Sequence, residues 1–420
     1  MPLPLLVRLS RLSAVPADLE SVTERAPEAP ETAAGLRAGS VEQLWSRIAA
    51  LYRTGVQPGI QVCVRHQGQV VLHRAIGHAR GNGPGEGRAG PVPMRTDTPI
   101  NLFSAGKAVT AMLVHKLQER GHFGLDDPVA LHLPGFGRHG KQAITVRQVL
   151  THRAGLPSLP LLGRREALAL LAEPQQLLEQ LMALKPGRIN AAPAYSAITG
   201  GFVLAALLRA TTGRDPRALL TELIKQPLGA RWLDFGLRPE QLGEVALNAC
   251  TGLLPPPLSS HLGRVIGAPY ALAVELSNTP EFLTALVPSG NLITTAADIA
   301  AFYQSLLDGG RWQGQALFAP ETVRAALAPD RPGASLDRCI GIPIRYSPGF
   351  MVGHRGLGLY GWNRSGTFGH LGLSSTLTWA RPDTGTVIAF LTNGKPVLGP
   401  HLPEFLALLA GFNRLCESRA

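Results

Sequence analysis

Apolar residues recur at helical spacing near the N-terminus and at every second position just beyond it. They return to helical spacing through the long middle and to alternation toward the C-terminus. Val41, Leu44, Trp45, Ile48 and Leu51 form one stripe, which predicts a helix over Ser40–Arg53 capped by Ser40. Ile60–Val64 and Val70–Ile76 flank His66-Gln67-Gly68-Gln69 and read as a hairpin, with Cys63 turned away from the Val62 face. Gly and Pro crowd residues 79–95, which read as loop. Ala105–Arg120 is apolar nearly all round in its first turns, so a buried helix is expected, stopped at Gly121. Helical patterns continue at Val146–Thr151, Pro174–Leu184, Ala197–Thr212, Pro216–Lys225 and Ala296–Asp308. A second hairpin, Thr376–Arg381 and Thr386–Thr392, turns at Pro382-Asp383-Thr384-Gly385, and an amphipathic helix over His401–Leu415 follows.

Strands near both ends with helices between them imply an α+β chain. An antiparallel sheet flanked by helices, from residues 40–125 and 335–415, would hold an inserted all-helical domain over 126–334, with a site in the cleft between them. Residues 1–39, rich in Pro, Ala and Glu, read as an extension packed loosely on this 40–415 body, and 416–420 as a tail.

Composition narrows the function classes. At 420 residues with 45% apolar and 16% charged, the chain can bury a large core. The formal charge of +11 comes from scattered arginines without a basic run, and no nucleic-acid-binding signature occurs, so no nucleic-acid partner is expected. Cys63, Cys250, Cys339 and Cys416 are far apart, with neither ligand spacing nor a disulfide framework. His115, His122, His132 and His139 read as surface or loop residues, and neither a metal site nor a cofactor is expected. Pro2–Val7 is too short and too broken for a signal core, and no run spans a membrane, so the expected location is cytoplasmic. Nothing in the pattern sets an oligomeric state.

The chemistry starts at Ser104-Ala105-Gly106-Lys107. Positions i and i+3 share a helix face, which puts a hydroxyl beside an ammonium at a helix N-terminus, where backbone N–H groups favour a developing alkoxide. A lysine at the start of a buried helix needs a partner or a lowered pKa, and both suit a general base. Serine is a poor nucleophile at neutral pH unless such a base takes its proton.

This S-x-x-K pair stands in line with further motifs: Gly124-Leu125-Asp126-Asp127-Pro128-Val129, Ile144 through Pro157 (ITVRQVLTHRAGLP), Tyr195-Ser196-Ala197, Ser289 through Ile299 (SGNLITTAADI) and His370-Leu371-Gly372. Over roughly residues 41–415, in this order, the chain resembles the serine beta-lactamase and penicillin-binding superfamily, especially its class C-like and family VIII carboxylesterase branch. The resemblance implies a beta-lactamase/transpeptidase-like fold and an acyl-enzyme on Ser104. It implies that Lys107 and Tyr195 form the base system and that His370 takes the place of the lysine in the family's K-T-G strand. The oxyanion hole would be the backbone N–H groups of Ser104 and Leu373, beside Gly372. Either Tyr195 is a phenolate held by the ammonium, or Lys107 is the neutral base and Tyr195 a relay. Loops Leu253–Pro269 and Phe350–Ser365 would wall the cleft, with Trp362 lining an acyl pocket.

Departures from the family pattern point to the substrate. Ala197 stands where Tyr-x-Asn members carry the amide that holds a lactam or peptide. At 370–372, histidine replaces the lysine that would meet a substrate carboxylate, and Leu371 removes a hydroxyl. These losses leave the acylation machinery intact, so a small carboxylic ester is the expected substrate. The alternatives are a beta-lactamase or D-amino-acid peptidase, or an acyltransferase using the same acyl-enzyme.

Overall fold

The computed structural model describes residues 11–86, 90–159 and 163–417. The apolar stretch Pro2–Val7 and the last three residues therefore lie outside the described residues, as does the side chain of Cys416. Along the main sheet run β1 (Thr23–Arg25), helix α1 (Ser40–Arg53), β2 (Gly59–His66) and β3 (Gln69–Arg80). Near the middle come the short β4 (Ile100–Asn101) and the long helix α2 (Lys107–Glu119). Next are α3 (Val146–Leu150), α4 (Thr199–Thr212), β5 (Leu233–Phe235), β6 (Leu292–Thr294) and α5 (Ala296–Leu307). The chain closes with β7 (Ser335–Leu336), β8 (Pro343–Tyr346), β9 (Met351–Val352), β10 (Phe368–Leu371), β11 (Leu377–Arg381), β12 (Thr386–Thr392) and α6 (Leu402–Glu417).

The main sheet is antiparallel throughout, in the order β1-β3-β2-β12-β11-β10-β9-β8-β7, and Val92–Pro93 adds a short pairing on β3. Residues 79 and 80 thus end a strand, leaving a shorter loop than expected. The β2–β3 turn has Gln67 at φ 49° and Gly68 at φ 80°, the pair of positive values that a two-residue hairpin needs to match strand twist. Alternation along the strands divides the core. Ile60, Val62, Val64, Ile388 and Phe390 face α1 and α6, whereas Cys63, Ala75, Val387, Ala389 and Leu391 face the side that holds α2 and α5. Cys63 does point away from the Val62 face.

Four expectations need correction. The segment before residue 40 is not loosely packed: β1 pairs with β3, and Leu19, Ala34 and Leu36 are buried. Helix α1 is not capped by Ser40; the Glu31 carboxylate accepts from the N–H groups of Gly39 and Val41, an anion on the positive end of the helix. The 126–334 span is not all helical. β5 and β6 join β4 in a three-stranded sheet of order β4-β6-β5, because such short apolar runs carry no period that separates strand from helix. Helix α5, within that span, packs on β2, β11 and β12 of the main sheet. Finally, His115 is fully buried in the middle of α2, where its Nε2–H donates to Pro348 O at 2.8 Å. Burial moves its pKa down to about 4. Surface position does fit His122 and His139, while half-buried His132 meets Asp127 at 3.0 Å.

Candidate active site

Ser104 lies in a tight 3₁₀ turn, Phe103–Gly106, that runs straight into α2 at Lys107. The turn is held from both sides. Leu102 N–H donates to Leu292 O of β6 at 2.9 Å, and Phe103 N–H donates to Asn101 Oδ1 at 2.9 Å. A Cβ on Gly106 would fall 2.5 Å from Leu292 Cβ, so only glycine lets the turn sit this close to β6. Phe103, just before the serine, takes φ 49°, a strained value for a bulky residue.

One helical turn on, Lys107 points into the protein. Its Nζ is 3.1 Å from Ser104 Oγ and donates to Ala197 O at 2.7 Å and to Ser289 O at 3.1 Å. It also lies 4.9 Å from the centre of the Tyr195 ring. No carboxylate is among these contacts, so burial acts unopposed and moves the Lys107 pKa down to about 7.

Tyr195 precedes α4 in an extended stretch pinned by the Ile144–Pro157 segment. A capping box between Thr145 and Gln148 starts α3, and His152 follows it at φ 57°. Ala194 N–H donates to His152 O at 2.9 Å, and Ser196 N–H to His152 Nδ1 at 3.2 Å. Nδ1 is therefore the acceptor, and the neutral ring carries its proton on Nε2. The His152 ring packs 4.6 Å from that of Tyr195. Burial raises the Tyr195 pKa, a hydrogen bond with Ser104 opposing it, so the side chain is a neutral phenol.

His370, on β10, sits with its ring centre 6.3 Å from that of Tyr195. Its Nδ1 faces Leu371 O at 2.8 Å, and since a carbonyl only accepts, Nδ1 carries the proton. Burial and the nearby Lys107 bring its pKa down to about 3, so it bears no charge at neutral pH. Gly372 N–H donates to Thr376 O at 2.9 Å, closing the turn that presents Leu373. A Cβ on Gly372 would lie 2.6 Å from Leu102 O, so this turn touches the one that carries Ser104. Lys107, Thr110, His152, Ser196, Ser289 and His370 share the wall of a small cavity of about 30 Å³.

The structure thus gathers Ser104, Lys107, Tyr195, His370 and Gly372. Trp362 does not line this cavity: it lies on a two-stranded hairpin, 64% exposed. Tyr360 from the same loop is core, with its hydroxyl on Met351 O. Most of the Leu253–Pro269 stretch is the helix Pro256–Ile266, bordering a separate cleft. A cavity of about 640 Å³ lies among the helices of the middle region and includes none of the residues above.

Sequence reasoning missed Asp337, Tyr346 and Lys395. Asp337 is fully buried. Its Oδ1 accepts from the N–H groups of Tyr195 at 3.3 Å, Cys339 at 2.9 Å and Ile340 at 2.9 Å, and its Oδ2 from Tyr346 OH at 3.0 Å. The Tyr346 ring in turn packs 4.9 Å from His152. A lone aspartate in an irregular segment carries no periodic signal, and only its burial discloses its place. Among the described residues, no group of three or more His, Cys, Asp or Glu is arranged to hold a metal ion, and no helix is long and apolar enough to cross a membrane.

Comparison with known proteins places this geometry in context. The beta-lactamase family profile matches residues 47–410. The esterase/beta-lactamase LipL of Mycobacterium tuberculosis is 32% identical over 319 residues, covering 73% of this chain and 72% of LipL. Esterase EstB of Burkholderia gladioli is 28% identical over 329 residues, 74% of this chain and 78% of EstB. The crystal structure of a family VIII carboxylesterase superposes with a TM-score of 0.75 at 25% identity, covering 91% of this chain and 99% of the other.

Proposed function

Because the chain belongs to the beta-lactamase family, we propose that it is a serine hydrolase that cleaves small carboxylic esters through an acyl-enzyme on Ser104. The observation that carries this reading is the Lys107 amine, 3.1 Å from Ser104 Oγ, buried without a carboxylate and with its pKa near 7. In the neutral amine the two N–H donors stay on Ala197 O and Ser289 O, and the lone pair faces the serine hydroxyl. Ser104 Oγ attacks the ester carbonyl as its proton passes to Lys107. The carbonyl oxygen gains the negative charge, opposite the backbone N–H groups of Ser104 and Leu373. Collapse breaks the C–O bond, and the departing alkoxide takes a proton from Tyr195, which Lys107 restores. Water then repeats the sequence on the acyl-enzyme and releases the acid. The raised pKa of Tyr195 favours this relay over a phenolate base.

Substrate class follows from what surrounds these groups. His370 is uncharged and Ala197 offers no side-chain amide, so neither supplies the contacts that favour an anionic lactam. EstB is named an esterase and LipL an esterase/beta-lactamase; both names support ester cleavage, and that of LipL makes a lactam the substrate to test against it. Cytoplasmic residence remains part of this proposal. The test compares p-nitrophenyl esters of increasing chain length with nitrocefin, beside Ser104→Ala. A Ser104-dependent burst on short esters with negligible nitrocefin turnover is expected; rapid nitrocefin hydrolysis would replace the esterase with a lactamase.

A further inference from the structure

Besides Lys107, the described residues bury two lysines that the mechanism above does not use, Lys141 and Lys395, and the second of these lies beside the site. Lys395 follows β12, and its Nζ donates to Thr392 O at 2.6 Å and to Thr376 Oγ1 at 3.2 Å. The same atom lies 5.0 Å from the centre of the Phe103 ring. These contacts are not random neighbours. Phe103 immediately precedes Ser104 and is held at φ 49°. Thr376 closes the turn that presents Leu373, by accepting from Gly372 N–H. The two turns meet where a Cβ on Gly372 would press on Leu102 O and on Thr376 itself. One amine therefore meets a side chain from each of the two turns whose backbone N–H groups would form the oxyanion hole.

Resting on the esterase reading, we propose that Lys395 is a positioning residue that clamps the nucleophile turn to the Gly372–Thr376 turn and so sets the spacing of the oxyanion hole. Two contacts are polar and directional, and the third is a desolvated amine over an aromatic face. Burial lowers the Lys395 pKa to about 7, but ammonium and neutral amine both have enough N–H groups for the two oxygens. The Lys395 carbonyl is fixed as well, accepting from Tyr270 OH at 3.2 Å, so its backbone has a partner independent of the amine. Methionine at this position would keep the length and apolar stem but remove the donors.

Such a clamp should affect the transition state more than substrate binding, since the hole engages fully only when the carbonyl oxygen is charged. In Lys395→Met, kcat on p-nitrophenyl butyrate should fall about 10- to 100-fold, less than the roughly 10²–10³ that outright loss of an oxyanion donor costs, because the donors are misplaced and not removed, with KM within about twofold. The rate of Ser104 labelling by a fluorophosphonate should fall in parallel. Phe103→Leu should reproduce part of the loss, and the double variant should lose less than the product of the two, since both act on one contact. Unchanged kcat and labelling rate in Lys395→Met would overturn the proposal. If that variant fails to fold, Phe103→Leu and Thr376→Val decide, and unchanged kcat in both would overturn it. A wild-type protein labelled at Ser104 but inactive on esters would refute the ester reading alone, because the labelling rates still test the clamp.

Discussion

An ammonium has three donors and a neutral amine two, and the fixed carbonyls around Lys107 number two. That count, together with the absence of a carboxylate partner, is why the residue is suited to accept the Ser104 proton near neutrality. In the proposed mechanism the neutral form is the active one, so kcat/KM for an ester should rise with pH and reach half its plateau near 7, read from a pH–rate profile. Lys107→Ala should lower ester turnover by about 10²–10⁴-fold while leaving the fold intact, since removing a positioned base costs that much. Asp337 acts at one remove. Asp337→Ala would strip acceptors from the backbone N–H of Tyr195 and from Tyr346 OH, each a loss of about 1–3 kcal/mol when buried and unpaired. A lower melting temperature with reduced kcat is the expected outcome, measured by calorimetry and ester kinetics.

Among the elements, legibility followed periodicity. The stripe of α1 and the alternation of β2, β3, β11 and β12 were readable because each repeats over several residues on one apolar face. Strands β4, β5 and β6 were not, being two or three residues long within apolar runs. Their role is nevertheless specific: β6 supports the nucleophile turn through Leu292, against Gly106. Gly106→Ala would force Leu292 aside at a cost of about 1–3 kcal/mol from overpacking. A melting-temperature drop accompanied by lost burst amplitude is expected, because the displaced turn carries Ser104. The cap on α1 was misread because Glu31 and the helix start are joined by a turn whose path no local pattern reports.

For the molecule as a whole, the N-terminal segment is part of the sheet. Removing residues 1–39 would uncover the β3 edge and withdraw Leu19 and Leu36 from the core. Such a truncation should aggregate and melt earlier than the full chain, by light scattering and thermal denaturation. The central helix α2 is covered by the main sheet on one side and by helices of the middle region, α4 among them, on another, which keeps Lys107 dry. The site is therefore a product of both regions. Ser104 and Lys107 come from the turn before α2 and its first residue, Tyr195 from the approach to α4, and His370 and Leu373 from β10 and the turn after it.

Local pattern alone determined the residue types, the spacing of Ser104 and Lys107, the main hairpins and helices, and the ordered motifs by which the family is known. These are properties of neighbours along the chain, where helix and strand periods translate spacing directly into geometry. Tertiary structure decided what those residues became. It set how far burial lowers the amine of Lys107, left His370 uncharged, exposed Trp362, and brought Asp337 and Lys395 from distant segments beneath Tyr195 and Phe103. Desolvation and long-range hydrogen bonds depend on which chains pack together, and no spacing within one segment encodes that.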